Sequence, residues 1–112
     1  MSISFKGLGE NVITLKTTNA VAGEPVTISG NEKVTKSTSG ETFCGVAVSA
    51  VDGYAAVQIG GFVELPYSGT APTVGYNTFV ANGNGGIKTN TTGRTLLVVN
   101  VNATKSTVVV ML

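Results

Sequence analysis

Side chains able to do acid–base or metal chemistry are few in these 112 residues, and they are scattered. There is no histidine, which removes the commonest general base and the commonest metal ligand. The carboxylates are Glu10, Glu24, Glu32, Glu41, Asp52 and Glu64. None stands at a spacing that suggests an acid/base pair, and no run has the alternating acidic pattern of a calcium loop. Asp52 precedes Gly53, a pair that favours a two-residue hairpin turn, so its expected work is conformational. Cys44 lies between Phe43 and Gly45 in an apolar stretch with no base near it, the setting of a core thiol rather than a nucleophile. As the single cysteine it cannot form a disulfide within the chain. Gly83 to Gly86 reads GNGG, but the Lys-Ser/Thr pair and helix of a phosphate loop do not follow, so a hairpin turn is expected. Lys88 and Arg94 read as solvated strand charges. The residue inventory argues against an enzyme, and no cofactor is expected.

The elements around these residues read as strands and turns throughout. NVITLKTT alternates Val12 and Thr14 with Ile13 and Leu15, and PVTISG resumes the alternation after Gly23 and Pro25. The polar stretch EKVTKSTSGE suggests an exposed loop or edge hairpin. TFCGVAVSAV and YAAVQIGGFVEL flank the Asp52-Gly53 turn, and PYSGTAPTVG reads as a loop. YNTFVA and IKTN pair back across NGNGG, and RTLLVVNVN with STVVVML forms a C-terminal hairpin around ATK. Helical periodicity is absent. The expected fold is all-β: a small single-domain barrel or β-clip-like sandwich of about eight short strands over residues 12–112, preceded by an extended N-terminal arm at 1–11.

Composition narrows the partners. Seven Lys+Arg against six Asp+Glu leave the chain nearly neutral, so neither nucleic acid nor an acidic membrane is an expected partner. No apolar run approaches the ~20 residues of a membrane helix, and MSISFKGLGENVITL lacks the charged and apolar regions of a signal peptide. An intracellular site of assembly is expected. The Asn90 and Asn102 sequons are ordinary in so Thr-rich a chain.

The stretch FCGVAVSAVDGYAAVQIGGFVELP, residues 43–66, poses a question of coverage. A strand with one wet face should alternate polar and apolar residues. Here Cys44, Val46, Val48 and Ala50 share one face, and Gly45, Ala47, Ser49 and Val51 share the other. Beyond the turn, Ala55, Val57 and Ile59 oppose Tyr54, Ala56 and Gln58. STVVVML is likewise apolar on both faces from Val108 to Leu112. Either loops of the same chain cover the second face of a closed barrel, or copies of the chain meet there; exposed two-sided apolar strands invite edge pairing.

The run GVAVSAVDGYAAVQIGGFVELP resembles the middle of a family of small phage capsid decoration (cement) proteins, similar in role to the lambda-type head decoration protein. Its elements are Gly45-Val46-Ala47, Val57 to Gly61 and Phe62-Val63-Glu64-Leu65-Pro66. Gly75-Tyr76, Phe79-Val80 and a closing STVVVML follow, and AGEPV at 22–26 resembles the family's Gly-containing approach to its first core strand. The likeness spans roughly residues 20–112. It implies a β-barrel-like protein seated as a homotrimer on the virion surface, assembled in the host cytoplasm, with the phage major capsid protein as partner. The segment MSISFKGLGEN matches no family motif. Its alternation leaves two readings open: a capsid-binding arm formed by Ile3, Ser4, Phe5, Lys6 and Leu8, or the first strand of the barrel.

Two other classes carry residues worth placing. A biotinyl- or lipoyl-carrier-like β-clip needs a lysine at a hairpin tip, for which Lys88 lacks the flanking context. A carbohydrate-binding module needs aromatic platforms, for which Tyr54, Tyr67 and Tyr76 are the candidates.

Overall fold

The Asp52-Gly53 pair makes the tight turn its residue types demand. In the computed structural model, which describes residues 11–112, Asp52 and Gly53 both have positive φ (53° and 81°), the backbone of a type I′ hairpin turn. Ten strands form among the described residues. They are β1 (Asn11–Lys16), β2 (Pro25–Gly30), β3 (Lys33–Lys36), β4 (Gly45–Val51) and β5 (Tyr54–Gly60) in the first half. β6 (Phe62–Pro66), β7 (Gly75–Ala81), β8 (Ile87–Thr89), β9 (Arg94–Asn102) and β10 (Thr107–Met111) make up the second.

Each half of the chain builds its own sheet. β1 to β5 form a closed barrel in the order β1-β3-β2-β4-β5, and β6 to β10 form a sheet in the order β6-β10-β9-β7-β8. The all-β expectation therefore holds, with a second sheet added to the barrel. The barrel closes at a parallel seam where Lys16 pairs with Lys33 and Lys16 N–H donates to Glu32 O at 2.8 Å. The second sheet curls until its far edges meet: Tyr67 bridges Ile87 in parallel, and Ser68 N–H donates to Ile87 O at 3.0 Å. Neither architecture leaves a long flat edge of the kind that templates aggregation.

The stretch EKVTKSTSGE is where the strand assignment differs. Lys33–Lys36 is an internal barrel strand between β1 and β2, not a loop or an edge. One side chain decides it: Val34, between Lys33 and Thr35, is buried in the barrel. A strand of four residues with a single inward apolar group gives little alternation to read.

Two cores follow from two sheets. A five-stranded barrel is narrow, and its interior is correspondingly made of small side chains: Val26, Val34, Ala47, Ala55 and Val57. The larger groups lie in the second core, where Phe43, Val46, Leu65, Phe79, Ile87 and Leu96 pack with Val98, Val108 and Val110. Phe43 and Val46 come from the barrel half, so they fasten the second sheet against the outside of the barrel. Fully burying such a side chain contributes about 1.5–3 kcal/mol.

This packing answers the question of the second face. At the start of β4, Ala47 opposes Val57 inside the barrel, while Val46 opposes Gln58 on the outer side, under the second sheet. The strand is buried on both faces because a sheet covers each. The shared face expected for Cys44, Val46, Val48 and Ala50 does not form. Ala47 pairs with Val57 and Ser49 with Ala56, so Val48 is an inserted bulge residue that reverses the alternation after it. Val48 and Val51 are exposed as a result, and Ala50 packs with the barrel core.

The run YAAVQIGGFVEL is likewise not one strand. It breaks at Gly61, whose φ of +86° is open to glycine at little cost, and there the chain leaves the barrel for the second sheet. Gln58, buried, ties this crossover by donating from Nε2 to Gly60 O and to Phe62 O, each at 3.0 Å. Leu112 N–H donates to Gly61 O at 2.8 Å, which pins the C-terminal strand to the same point.

Candidate interaction surface

Several of the residues able to do chemistry make contacts within the fold. Lys36 Nζ lies 3.2 Å from Glu24 Oε1. That oxygen is buried without a hydrogen bond of good geometry, so the adjacent ammonium charge is what offsets its desolvation. Glu41 Oε1 accepts from Thr38 N–H at 2.7 Å and from the Thr38 hydroxyl at 2.9 Å. These bonds favour the carboxylate and hold its pKa below the ordinary value. Cys44 is half-buried, and desolvation pushes its thiol pKa up, away from thiolate chemistry. Arg94 Nη1 donates to Cys44 O at 2.9 Å, joining β9 to the barrel half. Lys88 lies on β8 rather than at the hairpin tip, and its Nζ donates to Ser39 Oγ at 3.0 Å. Among the described residues no three His, Cys, Asp or Glu side chains gather as a metal site would require.

What the second sheet does present is an uncharged apolar row. Tyr76 pairs with Leu97, Leu97 with Met111 and Met111 with Phe62. Side chains paired across a ladder point to the same side, so these form one line across β7, β9, β10 and β6. The next line, Gly75, Val98, Val110 and Val63, faces the core, and alternation therefore puts the Tyr76 line on the opposite, outer face. Tyr76 is 75% exposed and Met111 40% exposed, while Leu97 and Phe62 are half-buried. Beyond it on the same face Thr78 pairs with Thr95, their hydroxyls 3.1 Å apart. Neither line contains a charged residue. Val74, just before β7, is also exposed.

Linear pattern alone missed this row, because its members come from distant segments and meet only through register. The one signal in the sequence was the two-sided apolar character of Val108 to Leu112. The expected capsid-binding residues Ile3, Ser4, Phe5, Lys6 and Leu8 lie outside the described residues. The first described residue, Asn11, opposes Gly60 beside the crossover. The three tyrosines do not share a platform: Tyr54 lies on β5 of the barrel, Tyr76 on β7 of the second sheet, and Tyr67 packs against the second core. No family model matches the chain, and no curated protein matches it.

Proposed function

We propose that this chain is a phage capsid decoration protein, which binds the outer surface of the assembled head and stabilises the lattice of major capsid protein. The observation that carries the reading is the uncharged apolar row Tyr76–Leu97–Met111–Phe62 on the outer face of the second sheet. A solvent-facing row of this kind suits a protein that works in contact with another. The resemblance of residues 45–66 to the decoration family supplies the identity of that other protein. Scattered carboxylates and the lack of a histidine fit a structural role better than catalysis, and near-neutral charge favours a protein partner over nucleic acid or membrane. In this reading the protein is a homotrimer on the virion surface. Repetition over a lattice supplies avidity without any single strong contact. Ile3, Ser4, Phe5, Lys6 and Leu8 form the arm that docks on the capsid.

The experiment is solution mass by light scattering, followed by co-sedimentation with empty heads assembled from the major capsid protein of the same phage. A trimer that sediments with heads at lattice stoichiometry supports the proposal. Deleting residues 2–9 should then abolish co-sedimentation while leaving the thermal transition in place. A folded monomer that never sediments with heads overturns it.

A further inference from the structure

The seam that closes the barrel breaks a rule of sheet pairing. β1 and β3 meet in parallel through one register pair, Lys16 with Lys33. Like charges on neighbouring strands repel, and neighbouring strands lie only about 5 Å apart. Among the described residues the ion pair is made elsewhere, between Lys36 and Glu24, so neither seam lysine has a carboxylate partner there. Both lysines are exposed, and both line a hollow of about 350 Å³. Lys16 also pairs with Tyr54 on its other side, which brings a half-exposed ring to the same rim. The remaining polar side chains of the lining are hydroxyl-bearing, from Thr17, Thr18, Ser29 and Thr35. No carboxylate contributes to the lining.

We propose that this hollow is an oxyanion-binding site, taking a sulfate, phosphate or carboxylate group between Lys16 and Lys33. Ammonium groups bind such anions as point charges, and an anion between them converts the repulsion across the seam into a bridge. The hydroxyls and the Tyr54 ring suit a hydroxyl-rich carrier of that anion, an acidic sugar. Local violations of pairing rules are where functional sites are expected, and here the violation sits at the closure of the barrel. Occupation of the site therefore stabilises the fold. The inference is independent of the capsid reading, since it concerns the barrel and not the second sheet.

The test is thermal unfolding of the full chain in sodium sulfate and in sodium glucuronate, each against sodium chloride at matched ionic strength. A saturable rise in Tm is expected with both anions. At one hundred times Kd the folded-to-unfolded ratio rises about 100-fold, a shift on the order of 10 °C for a domain of this size. The double variant Lys16→Gln/Lys33→Gln should lose the saturable rise. In chloride it should melt no lower than the parent, because the like-charge pair is gone. Lys105→Gln, a control at the β9–β10 turn, should keep the full response. Tighter binding of glucuronate than sulfate, equalised by Tyr54→Ala, would assign the carrier as a sugar; equal binding from the start would assign the free anion. A rise that never saturates, or that persists in the double variant, is the general effect of excluded salts and would overturn the proposal.

Discussion

Gln58 makes two hydrogen bonds at the crossover, one within the barrel half to Gly60 O and one across to Phe62 O, and replacing it measures what they contribute. Its amide nitrogen donates to Gly60 O and Phe62 O, each at 3.0 Å, from a side chain only 6% exposed. Gln58→Met keeps the volume and removes both donors. Each bond is worth about 1 kcal/mol net. Better burial of the thioether offsets part of this, so the expected loss is about 1–2 kcal/mol. For a domain near 100 residues that lowers Tm by about 5–10 °C, a sizeable fraction of ordinary stability. Urea unfolding should show a lower midpoint with an unchanged slope. Gln58→Glu adds a pH test. A carboxylate facing two carbonyl oxygens from a buried position has its pKa raised by burial and by the acceptors around it. The stability of that variant is then fully present below the unfolded value of about 4.3 and is lost as pH rises through the higher folded value. It should be closest to the parent near pH 4 and furthest at pH 7. A Gln58→Met midpoint equivalent to less than about 0.5 kcal/mol of loss would refute the reasoning and make the crossover independent of this side chain.

Gly45→Ala should destabilise the barrel by about 1–3 kcal/mol. A Cβ there runs into Gln58 O, a backbone atom, and comes within 2.9 Å of Val57 Cγ1; a lowered urea midpoint checks it. Glu41, whose folded pKa is depressed by the Thr38 amide and hydroxyl, contributes stability that is present above its unfolded value and lost as pH falls through the folded one. The gap in Tm between parent and Glu41→Gln should therefore shrink between pH 6 and pH 3.

Turn chemistry was the most legible layer of the sequence. Asp52-Gly53 and the Asn82 to Gly86 cluster mark their turns because few residues accept positive φ. Asn82 Oδ1 accepts from Asn84 and Gly86 N–H within the second turn, at 2.7 and 3.0 Å. Three things were not legible, each for a physical reason. The bulge at Val48 adds one residue to an otherwise regular alternation, and nothing in GVAVSAV marks which residue is extra. The break at Gly61 sits inside a Gly-Gly pair, so the run reads as a continuing strand. Sheet membership is set by long-range pairing, which is why Phe43 and Val46 end in the core of the other sheet. The Tyr76 row was hidden for the same reason: register, not spacing, assembles it.

The division of the sheets at Gly61 has a consequence for synthesis. Every strand of the barrel precedes Gly61 and every strand of the second sheet follows it. A chain emerging N-terminus first from the ribosome therefore has all its barrel strands available before the second sheet exists, and domains generally fold as units in that order. Phe43 and Val46 would wait uncovered through that interval, since their partners are all in the later half. A pause in translation after Gly61 should lengthen the time this apolar pair is open to chaperones. The hydrogen bond from Leu112 N–H back to Gly61 O can form only after the whole second sheet has been made, so the joint between the two halves is fastened late.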